Sequence, residues 1–389
     1  MRRRQFLMSG VALAVIGGTG SALAATREEV AYKVVSTWYR LVLELIRHTP
    51  TMSPPVASRA LAYIGTAAFE ALASGDRRLK SLAGQLRDLA PLPTRGPAAM
   101  DDAVILTATL DPLVRALFAN TGPTGQHALD TLGKRLGAQA ADGVAQEVVA
   151  ASRDHGAALA AAVLDWAKDD GGAVIENMGF PMHYTPDPAP GHWVPTSKIV
   201  QQQAPLLPGW GKNRPFAMPA ADAGPIADPT PYSEAKGSPF WLEAKEVCDA
   251  VDHLTPEQTL IARFWSDDAM LTYTPPGHWT AILNQVAEER GLGLSEHVEA
   301  LARMGVAMAD AFIGCWAAKY RYNTIRPVSY IDKLIEAKWQ PILTTPPFPE
   351  YPSGHSVQSA AAAAMLTALF GQDYAFADQS PAPDGIPQR

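Results

Sequence analysis

The sequence predicts an all-α protein, a helical bundle in two halves joined by one long, ordered, proline-rich loop. Three observations carry that expectation. Apolar residues recur at three- and four-residue intervals through most of the chain, with glycine or proline at the joints. No run of alternating apolar and polar residues is long enough to build a sheet. Between Gly171 and Phe240 the composition changes abruptly, with prolines crowded through PDPAPGHWVPTSK, QAPLLPGWGKNRPFAMP and ADPTPYSEAKGSPF.

The chain opens on MRRRQFLMSGVALAVIGGTGSALAA, an arginine-rich head and a short apolar stretch ending in Ala22-Leu23-Ala24. That pattern predicts an export signal over residues 1–24, and Arg3-Arg4-Gln5-Phe6-Leu7-Met8 gives it the twin-arginine form. The mature chain is therefore expected in the periplasm or outside the cell. Residues 25–170 form the N-terminal helical half. Its segments are REEVAYKVVSTWYRLVLELIRHT, PPVASRALAYIGTAAFEALAS, AAMDDAVILTATLDPLVRALFAN and an alanine-rich pattern from Gln126 to Lys168. Residues 171–240 are the loop. Solvated linkers rarely carry large aromatics, so Trp193, Trp210 and Phe216 predict a loop that wraps the helical body. Residues 241–371 form the C-terminal helical half. One helix there starts with a cap at Ser295 and runs apolar towards Lys319, and a last one, SVQSAAAAAMLTALFG, stops at Gly371. Residues 372–389 read as a polar tail.

With 389 residues, 47% of them hydrophobic, the chain can fill a substantial core. The formal charge is −7 and no basic stripe is interleaved with aromatics, so nucleic acid is not an expected partner. A small anion in one local cationic pocket remains compatible with that balance. No continuous apolar run long enough to span a bilayer is evident after the signal. Two cysteines, Cys248 and Cys315, exclude a disulfide framework and a multi-cysteine metal site. Cys315 sits in an apolar helical pattern and reads as a small core residue, and pairing of the two is left open. HExxH, GxSxG and GxxxxGK[ST] are absent, which argues against zinc peptidase, serine esterase and P-loop nucleotidase chemistry.

Two stretches carry chemistry. In CWAAKYRYNTIRPVSYI, Lys319 and Arg326 lie seven residues apart, about two helical turns. Pro327 pushes Arg326 out of the helical region, so its guanidinium can turn back and share one tetrahedral oxyanion with Lys319. The plain alternative is a pair of surface cations near a helix C-terminus. In PPFPEYPSGHS, Ser353 is placed to cap a helix that begins with Gly354 and His355. A helix N-terminus with a glycine is an anion site, and a histidine in its first turn can give or take a proton there. The alternative for His355 is a capping residue. His278 and the pair Asp267-Asp268 read either as a pocket mouth or as structural groups, and Asp310 is expected to pair with a cation inside the bundle.

Lys319 to Pro327, K-x6-R-P, followed by P-S-G-H from Pro352 to His355, resembles the first two signature motifs of the vanadium-dependent haloperoxidases and the phosphatidic acid phosphatase type 2 superfamily. PPVASRALAYIGTAAFEAL, GHWVPT, LLPGWG and PPGHW extend the resemblance to the bacterial haloperoxidase-like branch over most of the mature chain. The resemblance implies the helical bundle of that family. It implies vanadate or phosphate held by Lys319, Arg326, Ser353 and the Gly354 amide, His355 as acid/base group, and Trp316 and Phe348 lining a halide or substrate pocket. The family's third motif, S-R-x3-H-x3-D, carries a further arginine and the histidine that ligates vanadium. No such motif follows His355, so no metal-ligating residue is assigned and the C-terminal part of the fold is expected to be missing. The implied activities are halide oxidation by hydrogen peroxide at bound vanadate, phosphate ester hydrolysis on the same scaffold, or anion binding without turnover. Partners are then small molecules, and a homodimer is compatible with the resemblance.

Overall fold

The computed structural model describes residues 25–173, 185–187, 189–196, 204–224, 226–380 and 387. The expected signal over residues 1–24 and parts of the loop and tail lie outside them. Among the described residues the chain forms eleven α-helices and no strand, as the periodicity predicts.

The N-terminal half is α1 (Arg27–His48), α2 (Pro54–Ala73), α3 (Asp102–Leu117), α4 (Pro123–Ala141) and α5 (Gln146–Lys168). The C-terminal half is α6 (Pro239–Asp252), α7 (Pro256–Phe264), α8 (Thr274–Arg290), α9 (Leu294–Tyr322), α10 (Pro327–Leu334) and α11 (Gly354–Phe370). The alanine-rich pattern expected as one unit from Gln126 to Lys168 is two helices, because Gly143 takes a left-handed φ of 70° between α4 and α5. The cap of α9 is Gly293 rather than Ser295, and Glu296 reaches back to the Gly293 amide in a capping box.

α2 and α9 form the central pair, with α1, α3, α8 and α11 packed around them. α2 is buried almost throughout, which is why its sequence is apolar on every face. Glycines set how closely the pair packs: a Cβ at Gly305 would lie 2.8 Å from the α2 backbone at Leu61, and one at Gly65 would lie 2.8 Å from the carbonyl of Leu301. α9 is long and apolar enough to cross a membrane by length and composition, contrary to expectation, with 67% of that window buried inside the bundle. Its apolarity is that of a core helix. Cys248 and Cys315 are both buried and free.

The described parts of the loop are docked, with Trp193, Trp210 and Phe216 buried. A polar network ties both ends of one loop stretch to α2 and α5. Arg59 Nε donates to Asp170 at 2.6 Å, Tyr63 donates to the same carboxylate at 2.7 Å, and Arg214 donates to the Trp166 carbonyl at 2.8 Å. Asp310 on α9 does not pair with a cation as expected. It accepts the backbone N–H groups of Phe216, Ala217 and Met218 at 2.6, 2.8 and 2.8 Å, clamping the loop to the bundle. Burial pushes its carboxyl up while those three amides pull it down. Asp310→Ala would leave three inward-facing amides without an acceptor, and a loss of roughly 3 kcal/mol is expected from the denaturant midpoint.

The expected polar tail is also an ordered packing segment as far as Ser380. Asp378 and Ser380 are buried, and Gln285 of α8 donates to the Ala377 carbonyl at 2.7 Å and accepts from the Gln379 amide at 3.0 Å. Most of residues 371–380 is nonetheless exposed, as a polar tail would be; Asp378 turns inward to His278 of α8 and accepts from the Ser380 amide at 2.8 Å.

Candidate active site

α9 ends at Asn323, whose left-handed conformation (φ 49°) turns the chain, and Arg326 follows in extended geometry as the cap of α10. Pro327, in the first turn of α10, enforces that break. Loop backbone holds the turn from outside: Trp193 donates to the Asn323 carbonyl at 2.8 Å, and Ile325 donates to Gly191 at 2.8 Å. The turn thus returns Arg326 to the face that carries Lys319, and one cavity of about 760 Å³ is lined by both. Trp316, Phe348, Ser353, Gly354 and His355 line the same cavity. The anion-cradle residues, the acid/base candidate and the aromatic pair expected from the sequence are therefore brought to one place.

Lys319 is fully buried and donates to the carbonyls of Pro349 at 2.9 Å and Glu350 at 2.8 Å. An ammonium has three N–H bonds, so one remains for a ligand. Burial pushes its pKa down to about 8, and neighbouring Arg326 works in the same direction. Arg326 donates through Nε to Phe348 at 2.6 Å and through Nη1 to the Glu350 carboxylate at 2.6 Å. Its Nη2 is buried without a partner among the described residues. Desolvation lowers the Arg326 pKa and the Glu350 carboxylate opposes it. An unpartnered buried guanidinium nitrogen is costly unless something accepts from it.

Trp316 and Phe348 form the aromatic wall, with ring centroids 5.0 Å apart. The ammonium of Lys319 and the guanidinium of Arg326 lie 5.0 and 4.8 Å from the Phe348 centroid, within cation–π range. The loop backs this wall: the Leu206 carbonyl accepts from Trp316 Nε1 at 3.3 Å and from the Tyr320 hydroxyl at 2.7 Å. Opposite it is the N-terminus of α11. Ser353 caps that helix, its hydroxyl accepting from the Ser356 amide at 3.2 Å. The amides of Gly354 and His355 fall in the first turn, where no intrahelical acceptor exists. A Cβ at Gly354 would lie 3.5 Å from the Trp316 ring, so glycine keeps the gap between wall and helix open.

His355 is exposed, and its Nε2 lies 2.9 Å from the Ser266 carbonyl. A carbonyl only accepts, so Nε2 carries a proton and Nδ1 is the nitrogen left for proton transfer. Asp267 and Asp268 do line the cavity, and burial pushes the Asp268 carboxyl up while nearby His355 draws it down. His278 does not line it. It is buried between Asp267, in the turn after α7, and Asp378, in the segment after α11.

Glu350 and Ser266 escaped the reading of the sequence. Glu350 stands inside PPFPEYPSGHS, but no local spacing rule links it to an arginine 24 positions earlier. Ser266 acts through its carbonyl, which every residue type carries.

The geometry can hold a tetrahedral oxyanion between two buried cations and a helix N-terminus, with a proton-transferring imidazole at its side. A family model described as the VCPO second helical-bundle domain matches residues 299–386, which contain Trp316, Lys319, Arg326, Phe348, Ser353, Gly354 and His355. No curated protein matches the sequence. Among solved structures, the chain is similar to a bacterial vanadium-dependent iodoperoxidase at 32% identity and a TM-score of 0.83, covering 92% of this chain and 86% of that one. A bacterial vanadium-dependent chloroperoxidase, in its holo form, shares the fold at 17% identity and a TM-score of 0.63, over 84% of this chain and 77% of that one. Its apo form does so at 16% identity and the same TM-score. The 32% identity to the iodoperoxidase over 92% of this chain, with the same helical architecture, places the chain in the vanadium-dependent haloperoxidase superfamily.

Proposed function

We propose that the protein is an exported haloperoxidase that binds vanadate in the Lys319–Arg326 cavity and uses hydrogen peroxide to oxidise halide. The observation that carries this proposal is the convergence of two buried cations, one with an unpartnered nitrogen, on the cavity that also receives the start of α11 and His355. The iodoperoxidase relative supports iodide as the first halide to try. Export is supported by the pattern of residues 1–24 alone.

The donor set fits a bound oxyanion. Arg326 Nη2 lacks an acceptor, Lys319 has a spare N–H, and the Gly354 and His355 amides have none within the helix. These groups would hold vanadate oxygens by charge and hydrogen bonding. Among the described residues that line the cavity, His355 is the one histidine. When bound, vanadate supplies an electrophilic centre that activates peroxide without changing oxidation state. The chain's own residues do the rest. Lys319 and Arg326 compensate negative charge in a partly dry site, where such contacts outweigh their value in water. Glu350 fixes one edge of the Arg326 fork and leaves the other for the ligand. His355, oriented by Ser266, accepts or returns a proton at Nδ1. Trp316 and Phe348 offer a polarisable, water-poor wall for a large halide.

Supplying the full chain with orthovanadate, hydrogen peroxide and iodide or bromide is expected to give vanadate-dependent halide oxidation. Hydrolysis of p-nitrophenyl phosphate that vanadate inhibits, with no halide oxidation, would overturn the peroxidase assignment in favour of a phosphatase. Neither activity would leave anion binding alone.

The cradle should also depend on pH. Anion binding needs the charged form of Lys319, whose pKa lies near about 8 in the free protein. Affinity for sulfate, an anion of constant charge, is therefore expected to be flat below that pH and to fall by up to about tenfold per unit above it. Calorimetry across pH 6 to 10 checks the profile, and an affinity indifferent to pH would exclude Lys319 from the site.

A further inference from the structure

His278 is deeply buried, yet carboxylates face both of its ring nitrogens. Nδ1 lies 2.8 Å from Asp267 and Nε2 lies 2.6 Å from Asp378. Ionised carboxylates only accept, so both nitrogens donate and the ring is an imidazolium. Burial alone would lower its pKa, but the hydrogen bonds it donates to Asp267 and Asp378 outweigh that and bring it up to about 9. The ring is stacked on Trp265 with centroids 4.9 Å apart at 16°, and Phe264 meets it edge-on at 5.5 Å. Three consecutive residues of the turn after α7 therefore have set tasks. Trp265 packs on His278, Ser266 accepts from His355, and Asp267 accepts from His278. On the other side Asp378 belongs to the segment after α11, which Gln285 also binds along α8.

We infer that His278 is a positioning residue: clamped between Asp267 and Asp378, it fixes the turn whose Ser266 carbonyl orients the His355 ring. Through it, docking of residues 371–380 on α8 is coupled to the acid/base group on α11. The inference rests on the assignment of His355 as the proton-transferring group, but its geometry does not depend on which anion is bound. A structural clamp alone would need one carboxylate to neutralise the ring. The second carboxylate adds the connection from the tail segment to the cavity wall.

Two variants test it. His278→Gln breaks both contacts, and Asp378→Asn removes the charge on the far side while leaving His278 and Asp267 in place, so it carries the test should the first fail to fold. The readout is the tautomer of the neutral His355 imidazole by nitrogen-detected NMR, compared with Tm. In the unaltered protein the neutral ring is expected to be protonated on Nε2. In both variants the Nδ1-protonated tautomer should rise to a comparable share as the Ser266 hydrogen bond to Nε2 weakens. A lower Tm with the His355 tautomer unchanged would overturn the inference and leave His278 a stability element. The measurement requires neither vanadate nor turnover, so a failure of the peroxidase assignment is read separately, in the halide assay.

Discussion

His355→Ala should lower vanadate-dependent halide oxidation by about 10²- to 10⁴-fold, the range that a positioned acid/base group contributes. Oxyanion affinity should stay close to that of the unaltered protein. The expected split follows from geometry. His355 is exposed at the first turn of α11 and, among the described residues, donates to the Ser266 carbonyl alone, whereas Lys319 and Arg326 supply the fixed charge. Its removal takes a proton carrier from the cavity without opening a void in the core, so Tm should change little. Steady-state kinetics beside phosphate calorimetry check both halves. Equal loss of binding and turnover would make His355 a ligand contact rather than a proton carrier.

Arg326→Ala should weaken oxyanion binding by about 100-fold, since hydrogen bonds to charged groups are each worth about 1.5–3 kcal/mol and each 1.4 kcal/mol is a factor of ten. The upper end is expected because the change also frees the Glu350 carboxylate, which would then face the cavity without its partner and repel an anion. Arg326→Lys should recover only part of the affinity: it restores charge, but an ammonium cannot contact Phe348, Glu350 and a ligand with the geometry of the planar fork. Phosphate titrations of the three proteins rank them, and equal affinities would remove Arg326 from the cradle.

The helices, the break at Pro327 and the cap at Ser353 were legible because each depends on local rules of periodicity, proline geometry and N-terminal capping. The cradle residues were legible only as a set, since either stretch taken alone has a plain alternative in surface cations or a capping histidine. What stayed hidden depends on contacts between distant positions. The Asp310 partner was misread because a buried carboxylate can be satisfied by backbone amides, and no residue letter records those. The docking of the tail at Asp378 was hidden because that carboxylate finds its partner in His278 on α8 and in the Ser380 amide, contacts that no spacing records. The choice for His278 between pocket and structure could not be made from spacing, because Asp378 is 100 positions away.

The central claim is that the cavity of Lys319, Arg326 and the α11 N-terminus is an oxyanion site, and calorimetric titration of the full chain with orthovanadate tests it most directly. One saturable site is expected, with inorganic phosphate competing for it and with no detectable binding in a Lys319→Ala, Arg326→Ala double variant that keeps its helical circular dichroism. Absence of saturable binding to the unaltered protein, or binding undiminished in the folded double variant, would contradict the claim.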